Sequence, residues 1–180
     1  MPVRRLPIVG VMGSGQDGHE DRAVPLGRWL AAEGVHLLTG GGGGVMSTVS
    51  KAFSEVPARQ GLVLGIVPGG DANHIARPRA GYPNAWVEVP IYTHLSLSGE
   101  RGNLPLSRNH INILSSSVII VLPGSWGTLS EIALALSYGR PLVAYLQDKR
   151  EIPNLPDRVL IETELDGVQR FVRAELNRSS

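Results

Sequence analysis

Seven short apolar runs, spaced by segments of helical periodicity, constrain this chain more than any other feature. They lie at residues 7–12, 35–39, 62–67, 86–90, 118–122, 141–145 and 158–161. Most are continuously apolar instead of alternating, the pattern of strands covered on both faces. Between them, residues 21–33, 45–55, 106–115, 128–137 and 164–177 read as helices. The first stops at Gly34, where a glycine is expected just past a helix end. The last repeats Leu165, Val168, Val172 and Leu176 on one face. Strand alternating with helix predicts an α/β fold with a mainly parallel sheet, right-handed crossovers and helices on both faces. With 180 residues, no internal repeat and no linker, one domain is expected over residues 1–180.

Composition narrows the chemistry. Seventeen basic against sixteen acidic residues leave a net charge of +1, which argues against a polybasic nucleic-acid or membrane binder. Cysteine is absent, which removes disulfides, thiolate metal sites and a cysteine nucleophile and fits a cytoplasmic chain. The longest strongly apolar run, at 118–122, is far short of the ~20 residues a membrane helix needs. Gly10, Gly13 and Asp17 break the amino-terminal stretch too early for a signal peptide. Twenty-two glycines exceed the usual ~7% and imply special loops.

Three such loops each follow a strand and open a helix. Gly13, Ser14, Gly15 and Gly18 form G-x-G-x-x-G after the first strand. No carboxylate ends the second strand at Thr39, so a standard NAD site is not expected. Gly40, Gly41, Gly42, Gly43 and Gly44 follow the second strand and lead into Val45 and Met46. One or two glycines would serve a turn, so five suggest backbone approaching an anion at a helix start. Pro123, Gly124, Ser125, Trp126, Gly127 and Thr128 follow the most apolar strand. In a parallel sheet all three loops share the carboxyl edge, where open α/β folds bind ligands. A phosphate-bearing small molecule is the expected ligand.

Two side chains stand beside these loops. Glu131 follows Thr128 as T-x-x-E, which reads equally as a capping box and as a carboxylate on a helix apolar on both sides. Leu129, Ile132, Ala133 and Leu136 would form one face, opposite Glu131, Leu134 and Ala135. Arg108 opens another predicted helix with Asn109 and His110 and, taken alone, reads as solvated. Residues 68–84 resist assignment and read either as a ligand lid or as a surface excursion.

Arg108 and Glu131, 23 residues apart, together with the segments at 39–46 and 123–131, resemble the lonely-guy (LOG) family and its wider relatives. Those proteins carry an arginine motif, then P-G-G-x-G-T-x-x-E, after a glycine loop ending in G-[LV]-M. The resemblance spans the first strand through Tyr145 and implies a Rossmann-like, doubly wound fold and a homo-oligomer, a dimer or tetramer. Enzymes of this kind hydrolyse the N-glycosidic bond of a nucleoside 5′-monophosphate, releasing base and ribose phosphate. By resemblance Glu131 would assist water attack or stabilise charge on the ribose, Arg108 would hold the substrate, and the glycine-loop amides would take the phosphate. Three departures stand out: Asn109 where the enzymes usually have Lys, Ser125 for the second glycine, and Ser130 where many have a second acid.

The segments at 107–110, 122–124 and 128–136 more closely resemble the molybdenum-cofactor carrier branch. Those proteins bind a pterin with a terminal phosphate and protect or deliver it without turnover. The resemblance thus implies the molybdenum cofactor as ligand and molybdoenzymes as partners, with phosphoribohydrolysis as the alternative. Arg77, Arg79, Arg101 and Arg108 are candidate contacts for phosphate or an oxyanion such as molybdate. Trp126 would stack on a ligand or pack in the core. His19, His36, His74, His94 and His110 lack metal-site spacing, so no protein-bound metal is expected. Only Lys51 and Lys149 could carry pyridoxal phosphate, and both read as non-catalytic, against the lysine-decarboxylase label some relatives bear.

Overall fold

The computed structural model describes residues 5–70 and 77–178. Seven strands form one parallel sheet: β1 (Ile8–Met12), β2 (His36–Thr39), β3 (Val63–Val67), β4 (Val89–Tyr92), β5 (Val118–Val121), β6 (Leu142–Tyr145) and β7 (Leu160–Glu162). Their order is β4-β3-β2-β1-β5-β6-β7, with every neighbouring pair parallel. The chain winds outward from β1 to β4, then returns to place β5 against β1 and winds the other way. This is the expected Rossmann-like, doubly wound architecture. The reversal between β1 and β5 leaves a crevice at the carboxyl edge, since the loops after these two strands depart in opposite directions.

Five helices cover the sheet: α1 (Glu20–Ala32), α2 (Val45–Ser54), α3 (Asn109–Ser115), α4 (Trp126–Ser137) and α5 (Leu165–Arg178). The two-residue period of the strands divides their side chains between two cores. Val9, Val11, Leu37, Val118 and Ile120 join Leu26, Leu30, Val49, Phe53, Val168 and Val172 on the face of α1, α2 and α5. Met12, Leu38, Ile119 and Val121 join Ile113, Ile132 and Ala135 on the face of α3 and α4. Because each central strand feeds both cores, its sequence is apolar throughout. Pro90, which cannot donate to a ladder, falls in β4 at the sheet's edge.

The element boundaries differ from expectation where polar side chains capture backbone groups. The strand expected at 86–90 begins at Val89, because Asn84 Oδ1 accepts from Trp86 N (3.0 Å) and makes that stretch a turn. The helix expected from 106 begins at Asn109, whose N–H is taken by Ser107 Oγ (3.1 Å). α4 begins two residues early, at Trp126. Gly34 has φ +69°, as a residue just past α1 should.

α1 and α2 pack closely at Gly27, where a Cβ would stand 2.6 Å from the Val49 carbonyl oxygen. Gly27→Ala raises helix propensity by ~1 kcal/mol but forces the two helices apart. A net loss of about 1–3 kcal/mol is expected in urea denaturation, and a stabilised variant would contradict this packing.

Candidate ligand-binding site

Ser14 joins the three strand-to-helix loops. Its N–H donates to Pro123 O (2.9 Å), its carbonyl accepts from Val45 N (2.9 Å), and its hydroxyl accepts from Gln16 N and Asp17 N. The loop after β1 is thereby tied to the starts of α2 and α4. Gly44 permits this closure: its φ is +58°, and a Cβ there would lie 2.3 Å from Ser14 O.

Above these loops lies a cavity of about 580 Å³, within the range of small-molecule sites. Of the residues expected at a site, Gly13, Ser14, Gly15, Met46, Arg108, Asn109, Pro123, Gly124, Ser125, Gly127, Thr128 and Glu131 line it. Gly40, Gly41, Gly42, Gly43 and Gly44 do not, and Trp126 lies exposed beside the start of α4. The second glycine loop instead makes room for side chains. A Cβ on Gly40 would stand 2.5 Å from Arg108 Nη2, and one on Gly42 would stand 2.8 Å from the Tyr82 hydroxyl and 2.9 Å from Met46 Cε. Its glycines let an arginine, a tyrosine and a methionine lie on bare backbone.

Arg108 is buried at the residue preceding α3. Its Nη2 donates to Gly40 O (3.3 Å), its Nη1 donates to Asn109 Oδ1, and Glu131 Oε1 stands 3.8 Å from Nη1. Arg108 Nε has no partner among the described residues. Asn109, at the position where the enzymes carry lysine, thus orients the arginine. Glu131 is buried on α4, and burial pushes its carboxyl up to about 7, against the opposing pull of Arg108 and Asn112. It therefore exchanges its proton near neutrality.

The capping-box reading of Thr128 and Glu131 does not hold. Thr128 is the third residue of α4, and the preceding residue, Ser125, makes no side-chain cap. Among the described residues nothing accepts from the first-turn N–H groups of Trp126, Gly127 and Thr128. Ser130 donates to Gly127 O (2.7 Å), so it braces the helix start instead of supplying an acid. The expected faces of α4 also shift: Glu131, Ile132, Leu134 and Ala135 are buried, while Ala133 is exposed.

Several further residues line the cavity. Tyr82 and Ser98 come from the long excursions after β3 and β4, and Gln16, His19 and Glu151 form the side toward α1. Glu151 is held below the usual carboxylate range by Arg22, whose two guanidinium nitrogens donate to it at 2.8 and 2.7 Å. Asn84 donates from its backbone and its side chain to Gly41 O (2.7 Å) and Gly42 O (2.8 Å), so the described part of segment 68–84 covers the second glycine loop. The remainder of that segment, with His74, lies outside the described residues. Arg79 binds Ser98 Oγ and Ser96 O, and Arg77, Arg79 and Arg101 are exposed and line no part of the cavity. Lys51 and Lys149 pair with Glu55 and Asp157, away from it. Among the described residues no cluster of three His, Cys, Asp or Glu side chains could hold a metal, and no helix is long and apolar enough to cross a membrane.

Residues 6–169 match the model of the SLOG cluster4 family. The chain is 31% identical, with a TM-score of 0.75, to the molybdenum cofactor binding protein of the phototrophic bacterium Rippkaea orientalis, over 97% of this chain and 99% of that one. It is 27% identical, with a TM-score of 0.70, to the molybdenum cofactor carrier protein of Chlamydomonas reinhardtii, over 96% and 99%. An uncharacterised protein of Archaeoglobus fulgidus is 30% identical over 76% of this chain and 78% of its own length.

The buried carboxyl makes stability depend on pH. Unfolded, Glu131 ionises near its ordinary value of 4.5; folded, it holds its proton up to about 7. Between these values the folded state binds more protons, so the stabilisation present below 4.5 is lost as pH rises through 7. Glu131→Gln removes this dependence. The stability difference between the two proteins should shift toward the variant by on the order of 3 kcal/mol from pH 4.5 to 8, read from urea denaturation at each pH.

Proposed function

The chain belongs to the SLOG cluster4 family, and from that premise we propose that it is a carrier that binds, protects and delivers the molybdenum cofactor. The observation that carries this reading is a ligand-sized cavity at the crevice of a fold similar, over nearly its whole length, to two molybdenum cofactor binding proteins. The phosphate of the pterin would accept hydrogen bonds from the first turn of α4, at Trp126, Gly127 and Thr128, beside Gly124 and Ser125. Gly13, Ser14 and Gly15 would floor that end. Arg108 and Glu131, with Asn109, would face the remainder of the ligand. This reading takes the chain as a single domain that works as a homo-oligomer in the cytoplasm and passes its ligand to molybdoenzymes.

Binding without turnover agrees with the acid groups present. Hydrolysis of a glycosidic bond draws on an acid or base together with a carboxylate that stabilises the developing cation. Here Ser130 stands in place of a second acid and is bonded to Gly127 O. Glu151, the other carboxylate of the cavity, is spent on Arg22. The alternative, a nucleoside 5′-monophosphate phosphoribohydrolase, draws its support from Glu131 and Arg108, which stand 3.8 Å apart at the cavity wall.

Incubation with a panel of nucleoside 5′-monophosphates, with free base measured by chromatography, separates the two. No release is expected, together with saturable binding of molybdenum cofactor and its transfer to an apo-molybdoenzyme. Base release that disappears in Glu131→Gln would establish the hydrolase instead.

A further inference from the structure

We propose that His19 is a ligand-contacting residue of the cavity, its imidazole donating a hydrogen bond to the phosphate of a bound phosphate-bearing ligand. This rests on the binding reading above and extends it to the α1 side of the crevice.

The backbone gives the first indication. His19 immediately precedes α1 with φ 41° and ψ 54°, in the left-handed region. That region is costly for a residue with a Cβ, although histidine tolerates it better than most. Of the three described non-glycine residues with positive φ, His19, Ala58 and Asn154, only His19 lines the cavity. The conformation is fixed from both sides. His19 N donates to Asp17 Oδ1 (2.9 Å), and His19 O accepts from Arg22 N (3.0 Å) and Ala23 N (2.8 Å). Strain held in this way at a ligand cavity is a mark of function.

The side chain gives the second. The imidazole donates no hydrogen bond to a described residue: Asp17 Oδ1, the acceptor beside it, lies 3.9 Å from Nδ1, beyond hydrogen-bond reach. Its neighbour Arg22 is committed to Glu151. Asp17, Glu20 and Asp21 are exposed to solvent, where their charges are screened. The bond from Ser14 N to Pro123 O sets the approach to α1 beside the loop that enters α4. His19 and the α4 residues Gly127 and Thr128 line one cavity from adjacent loops. A phosphate monoester offers several acceptor oxygens and is matched by donors arriving from two directions.

The test uses the stable fluorescent oxidation product of molybdopterin, intact or stripped of its phosphate by alkaline phosphatase, titrated against wild-type, His19→Gly and His19→Asn proteins. Glycine adopts the left-handed backbone freely, so His19→Gly should keep or raise Tm. It should lower affinity for the intact probe roughly ten- to hundredfold and leave affinity for the stripped probe unchanged. His19→Asn, which tolerates the same backbone and keeps a donor, should lose less. An equal loss for both probes, or no loss for either, overturns the assignment. Wild-type protein that binds neither probe overturns the binding reading itself and the assignment with it. Wild-type protein that binds both alike overturns the phosphate site and this assignment, while leaving pterin binding in place.

Discussion

The buried guanidinium of Arg108 organises the site. It touches the loop after β2 through Gly40 O, its own helix through Asn109, and α4 through Glu131. A buried cation tolerates this position only with partners around it, and each partner comes from a different part of the sheet's carboxyl edge. The glycines after β2 exist for the same reason. Gly40 yields its side-chain space to the guanidinium, and Gly42 yields its own to Tyr82 and Met46. Burial that suits an arginine beside an acid also keeps Glu131 protonated up to about neutrality. The cavity wall therefore changes charge near neutral pH.

The fold was readable because strands covered on both faces need continuous apolar sequence. Val118 through Val121 all lie buried, alternately in the two cores. The edges were harder to place, since β4 is half exposed and its start depends on the turn made by Asn84. Within the candidate site, the loops after β1 and β5 line the cavity. The loop after β2 is packed otherwise. A run of glycines signals close approach, but the approaching group here is arginine, methionine and tyrosine side chain, not an open cavity. Glu131 was ambiguous because T-x-x-E fits a cap and a buried acid alike, and only the start of α4 at Trp126 decides between them. Tyr82, Ser98 and Glu151 had no local signal, since each reaches the cavity from a segment without periodicity. His19 had none either, since its left-handed backbone is a property of the folded loop.

Within the Rossmann-like frame, three residues set the polar groups around Arg108 and the start of α4. Asn109 gives Arg108 an acceptor oxygen where lysine would add a second cation. Ser130 braces the first turn of α4 through Gly127 O in place of an acid. Ser125, the residue before α4, makes no side-chain cap to that turn. With Glu151, which Arg22 holds below the usual carboxylate range, the cavity is lined by one arginine and two carboxyl groups, of which Glu131 keeps its proton up to about 7.

The most direct measurement is a crystal structure of the protein with molybdenum cofactor bound. The account predicts the phosphate within hydrogen-bond distance of the Gly127 and Thr128 N–H groups, with Arg108 and Glu131 against the rest of the ligand. A phosphate seated on Gly41 through Gly43, or a ligand outside this cavity, would contradict it.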